Sequence, residues 1–217
     1  MKIRCLLIGA PGSGKGTQAA FLAEKLKVPV ITTSQVIKDS LQEDNAFAAN
    51  LKQTIAQGKL IDDALMWEML QRRVSLEDCR EGFILDGFPR TERQLALMLA
   101  TDVSIEVMLY IDVPDEVIMQ RLAGRRVHPS SQRVYHIEFN PPKQYGVDDV
   151  TGEPLVQRDD DKPDVIVSRL MTFRAETMPV IDWASHGHAC LQKMLVVDGS
   201  RPLADIRDEI LSHWSDQ

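Results

Sequence analysis

Cysteine is scarce in this chain of 217 residues: three occur, Cys5, Cys79 and Cys190. They lie too far apart to form a chelating cluster and are odd in number, so they read as reduced core thiols of a cytosolic protein. No run of about 18 apolar residues occurs, and no basic-then-apolar leader opens the sequence, so nothing here directs the chain to or across a membrane. There is no internal repeat and no low-complexity tract. Positive charge is also in deficit, with 25 Lys and Arg against 32 Asp and Glu and a formal net charge of −7. That balance argues against a nucleic-acid binder. Any polyanionic substrate must be met by a local concentration of Lys and Arg, not by the overall field.

What is present is an alternation. Apolar strand-like runs occur at 3–8, 83–85, 105–111 and 194–197, with a weaker one at 28–32. Helical patterns fit 15–26, 34–58, 63–76, 91–100, 115–123, 164–185 and 203–214. Strands alternating with helices predict an α/β domain with a parallel sheet covered on both faces, and the length suits one such domain carrying insertions. In the first helix Ala19, Phe21, Leu22 and Leu26 form the inner side; in the last, Leu203, Ile206, Ile210 and Leu211 form an apolar stripe. Two stretches stand apart from this core. Residues 32–61 read as a helical excursion between strands, bounded by Thr32-Thr33-Ser34 and Gly58-Lys59-Leu60-Ile61. Residues 125–161, rich in Pro, Gly, Tyr, His and charge, read as short strands and turns, and a segment of that length without helix is usually a lid or a small domain.

The segment Gly9-Ala10-Pro11-Gly12-Ser13-Gly14-Lys15-Gly16-Thr17 follows the first strand and leads into the first helix. Its glycines let the backbone take turns closed to other residues. Successive N–H groups and the helix N-terminus can then converge on an anion, and Lys15 adds a point charge. In the common phosphate loop a Ser or Thr directly follows the lysine and ligates magnesium. Here Gly16 takes that place and Thr17 comes one later, so magnesium is held another way, through phosphate oxygens and waters bonded to carboxylates. Asp86, the one acidic residue at the end of a central strand beside the loop, is the candidate; its alternative role is capping the next turn.

Three further segments join the loop: Leu85-Asp86-Gly87-Phe88-Pro89-Arg90-Thr91, then Gly124-Arg125-Arg126-Val127-His128, then Arg158-Asp159-Asp160-Asp161 followed by Arg169. In this order they closely resemble an adenylate kinase of the long-lid bacterial type, over essentially the whole chain. The resemblance implies a P-loop NTPase-type parallel sheet flanked by helices, with a core of 1–31, 62–124 and 162–217. It also implies a helical insertion at 32–61 that binds the nucleoside monophosphate, and a small β-rich lid at 125–161. It implies reversible phosphoryl transfer from Mg·ATP to AMP, giving two ADP, by a cytoplasmic monomer with no nucleic-acid or membrane partner.

The chemistry of the residues agrees. Phosphoryl transfer needs aligned phosphates, dispersed negative charge and exclusion of water. Arginine forks bind phosphate oxygens bidentately and stay charged when desolvated. By the resemblance, Arg90 grips the monophosphate, Arg121 and Arg125 the ATP phosphates, and Arg158 and Arg169 the transferring group. Any one of these arginines, taken singly, could instead form a surface ion pair. The catalytic set is then Lys15, Arg90, Arg125, Arg158 and Arg169. The ATP site is Gly12, Ser13, Gly14, Lys15, Gly16, Thr17, Arg121, Arg125, Tyr135 and Arg201, with Arg121 and the backbone near Arg201 flanking adenine. The AMP site is Thr33, Lys38, Ile61, Gly87, Arg90, Gln94, Arg158 and Arg169, where Gln94 matches an amide that reads adenine; taken alone it would be a solvated helix residue.

In related lids, positions equivalent to His128, Ser131, Asp148 and Thr151 can be mostly cysteine and hold structural zinc. Hydroxyls at 131 and 151 are poor zinc ligands, so a hydrogen-bonded network without zinc is expected. Where the family's acceptor segment runs Ser-Thr-Gly-Asp-Met-Leu-Arg, this chain has Thr32-Thr33-Ser34-Gln35-Val36-Ile37-Lys38. Lys38 keeps a charge but not a bidentate fork, which leaves open a related kinase with altered acceptor preference. A nucleotide-binding regulator is the other alternative, though Lys15 and the arginines are retained and no guanine-reading Asn/Thr-Lys-x-Asp is present.

Overall fold

Successive residues of β1 (Ile3–Gly9) enter different cores: Leu6 and Ile8 pack on one side, Cys5 and Leu7 on the other. The same division splits β3 (Gly82–Asp86) into Phe83 and Leu85 against Ile84, and β4 (Ile105–Asp112) into Met108 and Tyr110 against Val107, Leu109 and Ile111. A strand buried on both faces must be apolar throughout, which is why these segments are unbroken runs. With β2 (Val30–Thr32) and β7 (Leu191–Asp198) at the edges, five parallel strands take the order β2-β3-β1-β4-β7. The sheet begins its last strand at Leu191, earlier than the run at 194–197, because an edge strand tolerates exposed Gln192 and half-exposed Lys193. The computed structural model describes residues 3–43, 45–57, 61–188 and 191–215.

Helices cover both faces. On α1 (Lys15–Leu26) Ala19 and Leu22 are buried, whereas Phe21 and Leu26 are only half-buried. The helical pattern at 34–58 forms two helices, α2 (Thr33–Gln42) and α3 (Ala46–Ala56). Asn45 makes the break: its backbone is extended and its side chain accepts from the Ala48 N–H, starting a new helix where the old one would have continued. The end of that pattern at Gly58, the boundary Gly58-Lys59-Leu60, and Cys190 lie outside the described residues. Next come α4 (Asp63–Val74), capped by Asp62, α5 (Glu92–Leu99), capped by Thr91, and α6 (Asp115–Gly124).

The pattern at 164–185 is interrupted. Between α7 (Pro163–Thr172) and α8 (Met178–Ser185) lies a π-helical turn, Phe173–Thr177, in which Met178 N–H bonds Phe173 O. Pro179 has no N–H to offer the preceding turn and clashes with a tight one, and the wider turn accommodates it. In α9 (Leu203–Ser215) Ile206 and Ile210 are buried, but Leu203 is 48% exposed and so stands outside the stripe expected of it.

Residues 125–161 form the expected short strands and turns. Antiparallel β5 (Arg125–Val127) and β6 (Val134–His136) pair with each other, isolated bridges Val127–Val156 and Val147–Pro154 add to them, and a 3-10 turn follows at Asp159–Asp161. Cys5 and Cys79 are free and buried. Burial pushes their thiols up, to about 12 and about 11, which makes both inert. Among the described residues no helix is long and apolar enough to cross a membrane.

Candidate active site

The order β2-β3-β1-β4-β7 places β1 where the chain turns from building the sheet one way to building it the other, with β3 on one side and β4 on the opposite. A crevice opens outside the carboxyl ends of the strands at such a point. The phosphate loop sits there. Gly12 and Gly14 have φ of +81° and +97°, values that side-chain-bearing residues rarely adopt. Gly14 is the N-cap of α1 and no side chain caps that helix, so the first N–H groups of α1 point into the crevice uncommitted. Gly16 differs from the expectation that the backbone demands it: it lies in the first turn of α1 with open space where a Cβ would be. The Ser13 hydroxyl is buried without a partner, and Thr17 is exposed in the same first turn.

Lys15 curls back over the loop. Its Nζ donates to Gly9 O at 2.7 Å and to Ala10 O at 2.9 Å. Burial pushes its pKa down to about 8; Asp86 opposes that fall, while Arg90, Arg169 and Arg125 add to it. Lys15 therefore shares an electrostatic neighbourhood with these three arginines and with Asp86. Asp86 ends β3 in register with Leu7 and Thr32, and burial raises its pKa against the pull of Lys15 and Arg90. Arg125 gives both arms of its fork to buried Asp161, at 2.8 and 2.5 Å, and Arg169 Nη1 lies 3.9 Å from the same carboxylate and donates to Asp160 O. Asp161 thus holds two arginines in place. The Asp159-Asp160-Asp161 run carries no sign of that role in the sequence, since a pair 36 residues apart leaves no spacing signal.

Arg158 stands apart from this group, with Nη2 donating to Gln132 Oε1 at 2.8 Å. Arg121 reaches between the loop and the turn after β7: it donates to Gly199 O at 2.7 Å, contacts Ser13 O, and burial lowers its pKa. Arg201, in that turn, donates to Asp198 O.

A second group forms beyond Asp86. Gly87, with φ of +95°, brings its backbone so close that an added Cβ would lie 2.9 Å from Arg90 Nη2 and 3.5 Å from Thr33 Oγ1. Arg90 Nε donates to Gly87 O at 2.8 Å, and the Arg90 carbonyl accepts from Thr177 Oγ1. The Gln94 amide accepts from Arg90 N–H and donates to Asp63, each at 2.8 Å. Asp63 was not foreseen. Ile61 is half-buried against the core, whereas Ser34, Gln35 and Lys38 are exposed on α2, where Gln35 donates to Asp39 at 2.7 Å.

In the 125–161 segment the four singled-out residues are joined by hydrogen bonds. His128 Nδ1 meets Ser131 Oγ at 2.7 Å, Thr151 Oγ1 lies 3.4 Å from His128 Nε2, and Thr151 Oγ1 and N–H both bond Asp148 Oδ2. Three further residues enlarge the network. Glu153 bonds His128 Nε2 at 2.5 Å, the Arg133 fork grips Asp148 at 2.7 and 2.6 Å and holds its carboxyl far below the usual range, and the Tyr135 hydroxyl donates to Asp148 Oδ1. Tyr135 is buried in this network. Among the described residues no group of three or more His, Cys, Asp or Glu could hold a metal ion by itself.

One comparison with known families bears on the arrangement: residues 7–188 match the family described as adenylate kinase.

Proposed function

The chain belongs to the adenylate kinase family, and on that premise, which makes it a nucleoside monophosphate kinase, we propose that it transfers the terminal phosphoryl group of Mg·ATP to AMP, reversibly, giving two ADP. The observation that carries the reading is the set of charges around Lys15 at the strand ends, where Arg90, Arg125 and Arg169 all act on it beside the carboxylate of Asp86. In an acidic chain, four cations gathered in one crevice serve a polyanion.

In this reading the free N–H groups of the loop and α1, with Lys15, hold the ATP phosphates, and Arg121 with the turn at Arg201 borders the adenine. Arg90, with Thr33, Gly87 and Lys38, takes the AMP phosphate, and Gln94 reads the base beside Ile61. Arg125 and Arg169 surround the group in transit, and Arg158 joins them as the lid closes; the charges of Arg125 and Arg169 are fixed by Asp161 before the reaction, so they need no reorganisation as negative charge redistributes. Asp86 fits a magnesium ion: it is a carboxylate beside the phosphate loop, held among cations, with no Ser or Thr directly after Lys15 to ligate the metal. It would hold the ion through water, and bound magnesium would neutralise phosphate charge. The core would be 1–31, 62–124 and 162–217, the acceptor insertion 32–61 and the lid 125–161. Closure of the lid over nucleotide, which excludes water, is a recognised property of adenylate kinases and is carried here by family membership.

The exposed, altered segment Ser34, Gln35 and Lys38 favours a second reading, a kinase of this family whose acceptor preference has shifted. A coupled assay of ADP formation from ATP with AMP, GMP, CMP and UMP separates the two. Fastest turnover with AMP supports the proposal; faster turnover with another monophosphate favours the second reading, and none with any would leave a nucleotide-binding regulator.

A further inference from the structure

Asp63 opens α4 behind Asp62, and it is Asp62 whose side chain caps the helix, accepting from the Leu65 N–H. Asp63 is therefore free of capping, and its carboxylate faces elsewhere. Oδ1 accepts from Gln94 Nε2 at 2.8 Å, and Oδ2 lies 3.5 Å from Arg93 Nε. At the other end of the same amide, Gln94 Oε1 accepts from the Arg90 backbone N–H at 2.8 Å.

These two partners decide which way the amide can face. An ionised carboxylate only accepts and a backbone N–H only donates. A Gln94 amide turned by 180° would set its NH2 against the Arg90 N–H and its oxygen against the Asp63 carboxylate, two repulsive contacts in place of two bonds. In the observed orientation each end keeps one unused function, a lone pair on Oε1 and an N–H on Nε2. Adenine offers an amino donor at N6 beside an acceptor at N1. A 6-oxopurine offers the reverse, an acceptor at O6 beside a donor at N1, and needs the turned amide. Without the lock one glutamine could serve both bases.

We infer that Asp63 is a positioning residue which, together with the Arg90 N–H, fixes the Gln94 amide so that the acceptor site takes adenine and refuses 6-oxopurines. The inference rests on the reading of Gln94 as facing the acceptor base. A purely structural account is available: Thr91 Oγ1 accepts from Gln94 N–H, and the reach of Gln94 back to Arg90 N–H completes the start of α5. That account does not require Asp63 to affect base choice, and so the two can be told apart.

The test compares kcat/KM for AMP and for inosine monophosphate at saturating ATP in the wild type, Asp63→Asn and Asp63→Glu. An asparagine amide can turn to meet either end of Gln94. The preference for AMP should fall about tenfold in Asp63→Asn, the equivalent of about 1.4 kcal/mol, mainly through a lower KM for inosine monophosphate. The KM for ATP should stay constant. Asp63→Glu, still an acceptor only, should retain most of the preference. An unchanged preference in Asp63→Asn, or an equal loss in both variants, would overturn the inference and leave Asp63 as helix-start structure. If Asp63→Asn is too unstable to assay, Asp63→Ser, whose hydroxyl both donates and accepts, carries the same expectation. A wild type that turns over AMP keeps the proposed function standing whatever the variants do; one that does not turn over AMP refutes that function and this inference together.

Discussion

Replacing Lys15 by methionine should make the nucleotide-free protein more stable at neutral pH while removing its activity. Burial is the main cause of the fall in its pKa from 10.5 to about 8. At about 1.4 kcal/mol per pH unit, that fall means the charged amine costs the folded state roughly 3 kcal/mol. Methionine also forfeits the bonds to Gly9 O and Ala10 O, at about 1 kcal/mol each or less. The net gain is then about 1–2 kcal/mol, a melting temperature higher by about 2–8 °C for a domain of this size. Because the folded pKa lies below the unfolded one, the penalty is full below about pH 8 and shrinks above it, where the folded amine has lost its proton while the unfolded one keeps it; above 10.5, with both neutral, it is gone. Calorimetric melts of both proteins without nucleotide, at pH 7 and near pH 10.5, read this directly. The advantage of Lys15→Met should close at the higher pH. Phosphoryl transfer at pH 7 should fall at least about a hundredfold, as when one preorganised charge donor is removed. A melting temperature that drops at pH 7, or a gap that persists at pH 10.5, would refute the claim that Lys15 is a charge held against its own solvation. Retained turnover would remove it from the reaction.

Three further outcomes are expected. ATP binding near pH 8.5 should take up a large fraction of a proton, since phosphate restores the charge on a lysine poised near 8; titration calorimetry in two buffers of different ionisation enthalpy measures it, and zero uptake would contradict the poise. Lys38→Arg should lower the KM for AMP about tenfold and leave that for ATP almost unmoved, because a fork adds one charge-assisted bond of about 1–2 kcal/mol; a KM that rises or stays put would show that the neighbouring backbone is adapted to lysine. Asp161→Asn should lower stability by about 2–3 kcal/mol, below the usual figure for breaking a buried pair because Arg125 itself is 20% exposed. An unchanged melting temperature would show that Asp161 does not anchor Arg125.

The division between legible and illegible follows the range of the forces involved. Lys15 and Asp86 were recognisable because each sits in a short segment whose neighbours constrain it, a glycine turn and a strand end, whereas Arg90, Arg125 and Arg169 were picked out through the family resemblance that their motifs carry. The residues that orient them were not. Asp161 reaches Arg125 across 36 positions, Asp63 reaches Gln94 across 31 and Glu153 reaches His128 across 25. A carboxylate in a polar stretch looks the same whether it meets water or a guanidinium. The break between α2 and α3 was local and still went unread, because apolar periodicity runs through it while the Asn45 cap depends on one side-chain bond.

What the sequence by itself determined is the set of elements and the nature of the crevice. Apolar runs too long to be half-exposed require a sheet covered on both faces, and a glycine loop between strand and helix leaves free N–H groups at the helix start that suit an anion. What only the tertiary structure decided is the strand order around β1, the gathering of Arg90, Arg125, Arg169 and Asp86 about Lys15, and the pairs that hold Arg125 and Gln94 in one orientation. Periodicity and turn chemistry act within a few residues and so are written along the chain. Contacts between distant side chains depend on how whole elements pack, which no short stretch of sequence specifies.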